Sequence, residues 1–158
     1  MITIRSATLE DLPILLEFEQ GVIIFEMPMD VTLKREKTFY YDIPTMIDSE
    51  RTELVVAVKN DELIGCGYAR AEKAQACFQF DEFSYVGFMF TKAEHRGKGV
   101  NKKIMEYLYD WSLARGIYEV KLEVYPDNPT AIRAYEKAGM HASLVTMRVD
   151  LRNKKSEL

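Results

Sequence analysis

The stretch His95-Arg96-Gly97-Lys98-Gly99-Val100-Asn101-Lys102 separates a β-favouring run, Phe83 to Thr91, from the strongest helical pattern in the chain. In that pattern Val100, Ile104, Leu108 and Trp111 recur at helical spacing, and Gly116 lies just past its end. Strand, glycine turn and helix in this order make an anion site. Glycines let the backbone take positive φ and approach a ligand closely. The first turn of a helix presents unpaired N–H groups and a partial positive charge. Arg96, Lys98, Lys102 and Lys103 add cations around that point, so a phosphate or pyrophosphate is the natural guest. The loop is not a Walker A sequence, because GxxxxGKS/T is absent, nor a dinucleotide fingerprint, because GxGxxG does not fit. A glycine-rich turn with solvated lysines is the plain alternative.

Working outward, the chain alternates strand and helix patterns without a doubly wound repeat. Ile2 to Arg5 favours a strand. Thr8 with Asp11 forms a carboxylate variant of the capping box, and Pro13 suits a first turn, so a helix is expected over 9–20. Gly21 to Ser49, rich in aromatics and methionines, predicts an irregular passage with one short helix near 43–48. Glu53 to Lys59 and Leu63 to Arg70 flank the turn-forming Asn60-Asp61 and read as a hairpin. Gly87 within Phe83 to Thr91 suggests a bulge or a close backbone approach. Tyr118 to Tyr125 is a strand with Val120, Leu122 and Val124 on one face and Lys121, Glu123 and Tyr125 on the other. Pro129 opens a helix to about Ala138, ended by Gly139, and Ser143 to Leu151 is expected as a final strand.

Composition narrows the class. The 158 residues fit one domain, taken as 1–151 with a polar tail at 152–158. Hydrophobic residues make up 47% and charged residues 29%, which excludes disorder. A net charge of −4 argues against a general nucleic-acid surface. Cys66 and Cys77 form no CxxC, and His95 and His141 stand alone, so neither a disulfide framework nor a metal site is expected. No apolar signal core or membrane-length run occurs, and a cytoplasmic home with no membrane partner is the simplest expectation.

The glycine loop resembles the acetyl-CoA loop of the GCN5-related N-acetyltransferases, Q/R-x-x-G-x-G/A. Arg96, Gly97, Lys98, Gly99 and Val100 fit its first five places, and Asn101 takes the sixth, where a small residue is usual. The resemblance continues through Leu122-Glu123-Val124, Asn128, Ala131 and Tyr135-Glu136-Lys137-Ala138-Gly139-Met140, with Met140 where an aromatic is common. It implies a mixed, mostly antiparallel α/β sheet flanked by helices, with splayed central strands at the cofactor site. It also implies an acetyl-CoA-dependent N-acetyltransferase that acts on an amine of a small molecule or peptide, releases CoA and needs no metal.

Residue by residue, the resemblance places the backbone of Met89, Phe90 and Thr91 against the pantetheine arm and that of Arg96 to Asn101 around the pyrophosphate. It gives Asn128 a contact to the pantetheine region, although Asp127-Asn128-Pro129 also reads as a turn. Tyr135 matches the tyrosine that protonates the departing thiolate; the alternative is a core aromatic on the Ile132–Ala138 face. Glu123 is the expected base, against a carboxylate that only pairs or faces solvent. Glu26, Asp30 and Asp42 among Phe25, Phe39, Tyr40 and Tyr41 could form an acidic pocket for a cationic acceptor, or an amphipathic surface. Arg70 and Lys73 could instead attract a carboxylate. The partners expected are acetyl-CoA and an amine, without nucleic acid, in a monomer or homodimer. A non-catalytic acyl-CoA sensor on the same fold is the second hypothesis.

Overall fold

Four β-favouring runs, the central two buried on both faces, form antiparallel strands: β1 (Thr3–Ser6), β2 (Thr52–Lys59), β3 (Glu62–Lys73) and β4 (Glu82–Thr91). A fifth, β5 (Val120–Lys121), joins β4 in parallel, giving the strand order β1-β2-β3-β4-β5. The structure is a computed structural model that describes residues 1–152; the expected polar tail beyond Arg152 lies outside the described residues. The β2–β3 turn places Asn60 and Asp61 at φ of 50° and 62°, the left-handed region these two side chains tolerate.

Four helices cover the sheet: α1 (Leu12–Glu26), α2 (Ile43–Asp48), α3 (Val100–Ala114) and α4 (Pro129–Lys137). On one face Val100, Ile104, Met105, Leu108 and Trp111 of α3 pack on Val55, Ala57, Ile64, Ala69 and Val86. On the other, Leu15 and Phe18 of α1 and Ile43 and Met46 of α2 pack on Leu54, Val56, Cys66, Tyr68 and Phe88. The mixed, mostly antiparallel sheet with helices on both faces is the architecture the sequence implied.

Three boundaries differ from expectation. The first helix begins after a 3-10 turn at Leu9–Asp11 and runs through Gly21 to Glu26. Gly21 does not end it: a Cβ there would lie 2.7 Å from the Phe90 ring, so the glycine serves close packing on β4. The strand expected over Tyr118 to Tyr125 shortens to Val120–Lys121, because β5 leaves β4 after Tyr85↔Lys121. Ser143 to Leu151 forms no strand; no sheet edge pairs with it, and Arg148 is drawn instead to Asp30 on the opposite part of the chain.

Alanine normally stabilises a helix relative to glycine by about 1 kcal/mol. The Phe90 contact reverses that sign, so Gly21→Ala should destabilise by about 1–3 kcal/mol in urea unfolding.

Candidate functional site

The site is organised by an irregularity in β4. Between the pairs Tyr68↔Gly87 and Cys66↔Phe90, β4 carries one residue more than β3, and Phe88 takes a left-handed φ of 51°. This is a bulge, which re-aims the residues that follow. The Phe88 ring stacks on Tyr41 at 4.7 Å, and the Cys66 thiol donates to the Phe88 carbonyl at 3.4 Å. Tyr41 is fixed in turn by Glu19, a fully buried carboxylate whose Oε1 accepts the N–H groups of Tyr40 and Tyr41 at 2.7 and 2.8 Å.

Past the bulge, Met89, Phe90 and Thr91 run half-buried to the end of β4, with Phe90 stacked on Phe18 of α1 at 4.6 Å. β5 pairs with β4 only at Val120 and Lys121, so main-chain pairing between the two strands stops before Leu122 and Val86. The glycine loop follows β4 and leads into α3. Gly97 and Gly99 stand at φ of 72° and 80°, and Gly99 caps α3. A Cβ at either glycine would meet nothing within 4 Å, so conformation rather than space selects glycine there. The amides of Val100, Asn101 and Lys102 head the helix, and Asn101 is half-buried beside them. These residues fit a pyrophosphate group: a left-handed turn, a helix N-terminus and open surroundings.

The cations of the loop are unequal. Arg96 donates from Nε to the Thr91 carbonyl at 3.1 Å and lies over the Phe25 ring at 6.0 Å. Lys102 faces Glu106 at 3.7 Å, whereas Lys98 and Lys103 are exposed without an ion pair among the described residues.

Tyr135 is half-buried on α4 and packs on the same core edge as Met89 and Leu122. Burial first, and the charge of Glu26 second, push its phenol up to about 12. Asn128 caps α4, accepting the Ala131 N–H at 3.1 Å through Oδ1. Glu123 is exposed and lies toward Tyr85, whose hydroxyl is raised by burial and then by that carboxylate. The carboxylate felt by Tyr135 is Glu26, not Glu123.

Of the three acids read as a possible pocket, Glu26 and Asp30 come together and Asp42 does not. Asp42 caps α2, accepting the Thr45 N–H and hydroxyl. Burial raises the Glu26 carboxyl, with a smaller push from Asp30. Asp30 is buried at the centre of a clasp. Its Oδ1 accepts from Thr32 N–H at 2.9 Å and Arg148 Nη2 at 3.0 Å; its Oδ2 accepts from Arg148 Nη1 and the Tyr125 hydroxyl, both at 3.1 Å. Arg148, then Thr32, hold its carboxyl well below the usual range. Arg70, offered as a carboxylate receptor, already bonds Glu72 at 2.8 Å. Among the described residues no His/Cys/Asp/Glu cluster could hold a metal ion, and no helix is long and apolar enough to cross a membrane.

Sequence reasoning missed Glu19, Tyr125 and Arg148. Glu19 had one signal, a carboxylate within the apolar stripe Leu15, Phe18, Val22, Ile23. Tyr125 and Arg148 had none, since they meet Asp30 from 95 and 118 residues away.

The acetyltransferase (GNAT) family model matches residues 22–140, which includes the bulged strand, the glycine loop and Tyr135. The chain belongs to the GNAT acetyltransferase family. Its fold is similar to a tetramutant of the BH1408 protein from Bacillus halodurans, with TM-score 0.83, 19% identity, and coverage of 94% of this chain and 99% of that one. A predicted acetyltransferase from Clostridium acetobutylicum, crystallised with acetyl-CoA, gives TM-score 0.74 at 16% identity, covering 97% and 98%. Glucosamine-6-phosphate N-acetyltransferase from Arabidopsis thaliana gives 0.65 at 19%, covering 95% and 98%. No curated protein sequence matches the chain. At these identities the GNAT fold is shared.

The Asp30 carboxyl sits lower in the folded GNAT domain than in the unfolded chain. The stability it contributes is therefore complete above the unfolded value, about pH 4, and is lost as pH falls below that. Asp30→Asn should flatten the acid limb: between pH 7 and pH 3 its urea midpoint should fall less than the wild type's.

Proposed function

We propose that this GNAT protein is an acetyl-CoA-dependent N-acetyltransferase that transfers acetyl to the amine of a small molecule or peptide within a ternary complex. The observation that carries the reading is the half-buried, protonated Tyr135 at the core edge shared with Met89 and Leu122, on the same chain as a left-handed glycine turn that opens α3. Acetyl-CoA, when bound, supplies the acyl thioester.

The residues divide the work as follows. The amides from Arg96 to Asn101 would hold the pyrophosphate, with the α3 N-terminus adding its partial charge. Backbone groups of Met89, Phe90 and Thr91, aimed by the bulge, would pair with the pantetheine arm. Asn128 uses Oδ1 to cap α4, which leaves its side-chain N–H groups for that arm. Tyr135 keeps its proton across the physiological range. A phenol at about 12 gives that proton to a thiolate of ordinary pKa near 8.5 only at a cost of about 5 kcal/mol. Tyr135 therefore acts first as a neutral hydrogen-bond donor to the departing sulfur, and transfer completes where burial raises the sulfur as well. Glu123 would take the amine's proton, beside the Tyr85 hydroxyl.

Coenzyme A release with a panel of amines and short peptides, beside calorimetry with acetyl-CoA, tests the reading. Binding with turnover supports an acetyltransferase; binding without turnover on any amine leaves an acyl-CoA sensor, and no binding removes the cofactor. Tyr135→Phe should retain acetyl-CoA affinity within a factor of about 3 and lower kcat by about 100-fold or more. Glu123→Gln should lower kcat and remove the acid limb of the kcat–pH profile; an unchanged profile would exclude Glu123 as the base.

A further inference from the structure

The carboxylates around the candidate site divide into two groups. Asp30, Glu72 and Glu82 each hold an arginine: Arg148 at 3.0 Å, Arg70 at 2.8 Å and Arg51 at 2.7 Å. Glu26 and Glu123 form no ion pair among the described residues. Lys121, two residues before Glu123, is taken up by aromatic rings instead. Its Nζ lies over Phe83 at 4.4 Å, Phe78 at 4.8 Å and Phe80 at 5.0 Å. A carboxylate removed from water without a cation is costly. Glu26 is half-buried at the end of α1, and burial raises its carboxyl.

A row of tyrosine rings joins the two acids. Between centroids, Tyr40 meets Tyr41 at 5.9 Å, Tyr41 meets Tyr68 at 5.8 Å, and Tyr68 meets Tyr85 at 6.4 Å. Glu26 lies at the Tyr40 end and Glu123 at the Tyr85 end. The row is fixed in place. Glu19 holds the amides of Tyr40 and Tyr41, and the Tyr68 hydroxyl lies over Gly87, where a Cβ would come within 2.9 Å of it. Two of these rings already face a cation: Arg70, neutralised by Glu72, lies over Tyr68 at 5.7 Å and Tyr85 at 5.9 Å. The Tyr40 hydroxyl is buried beside Glu26 without completing a hydrogen bond. Tyr125 reaches the same place through Asp30, whose N–H donates to the Glu26 carbonyl at 3.3 Å. A carboxylate and phenol oxygens together accept the N–H donors of an ammonium, and the rings attract its charge.

We propose that the acceptor is a linear diamine lying along this tyrosine row, with one ammonium held by Glu26 and Tyr40 while the other amine meets Glu123. The proposal rests on the acetyl-transfer reading for the fate of the second amine; the cation site at Glu26 stands without it. Glu26 is then a specificity-determining residue. An amine of single charge leaves it unpaired, and an acceptor ending in a carboxylate meets it as a like charge. The net charge of −4 favours the approach of a dication.

Calorimetry on the full chain with coenzyme A present tests this. Diaminobutane, diaminohexane and diaminooctane are each compared with the monoamine of the same length, and diaminooctane also with aminooctanoate. The best diamine should bind about 10-fold or more tighter than its monoamine, and aminooctanoate should bind weakest. Glu26→Gln should bring that diamine to the affinity of its monoamine and leave the monoamine unchanged. Tyr40→Phe, which keeps the ring, should weaken the diamine alone by about 3-fold, and it serves as the variant should Glu26→Gln unfold. Equal affinity of diamines and monoamines, no diamine binding, or an unchanged diamine affinity in Glu26→Gln would overturn the site. Aminooctanoate binding tightest would overturn it too and move recognition to Arg70. Coenzyme A release separates the two readings. Diamines that bind while no amine releases coenzyme A keep the cation site and remove acetyl transfer; turnover without a diamine preference does the reverse.

Discussion

The left-handed conformation of Phe88 is the constraint on which the rest of the site depends. A bulky residue at positive φ costs about 1–3 kcal/mol, and it persists here because its neighbours leave it no alternative. Burying the Phe88 ring returns about 1.5–3 kcal/mol, and stacking on Tyr41 adds about 0.5–1.5 kcal/mol. Tyr41 is immobilised by Glu19, whose buried Oε1 accepts two backbone N–H groups. The bulge, the aromatic stack and the buried carboxylate thus act as one unit that aims the last residues of β4.

That unit also explains why α1 is longer than its sequence suggests. Phe18, Gly21 and Phe25 follow one side of the helix at three- and four-residue spacing. They meet, in turn, the Phe90 ring, the same ring at close range, and the Arg96 guanidinium. The helix therefore bridges β4 and the glycine loop, and its last residue, Glu26, arrives where its charge reaches Tyr135. Asp30 then ties the chain beyond α1 to Tyr125 and Arg148. The phenol of Tyr135 is thereby held neutral by burial and by the Glu26 carboxyl that α1 brings to it.

The strand–glycine turn–helix order, the hairpin at Asn60-Asp61, the short α2 and the α4 start at Pro129 were legible because each rests on local chemistry: periodicity, φ preference or a cap. The same local signals placed Gly97, Gly99, Asn128 and Tyr135 on their elements, and the family they resemble is the one the chain belongs to. Three readings failed for the opposite reason. Gly21 looked like a helix end because nothing local announces the Phe90 ring. The long fifth strand and the final strand looked secure because alternation marks a strand's faces without naming a partner for its edges. Asp42, which could have walled a pocket or faced solvent, instead caps α2 through a local contact to Thr45.

By itself, the sequence determined the first four strands, the helices and their order, the left-handed glycine turn and the tyrosine on α4, because those depend on residues within a few positions of one another. Only the tertiary structure decided where β4 and β5 part, that Glu19 fixes Tyr40 and Tyr41, and that Asp30 gathers Thr32, Tyr125 and Arg148. Those depend on burial and on contacts across as many as 118 residues. A buried charge chooses its partners by what folding brings within hydrogen-bond reach, and no local pattern encodes that choice.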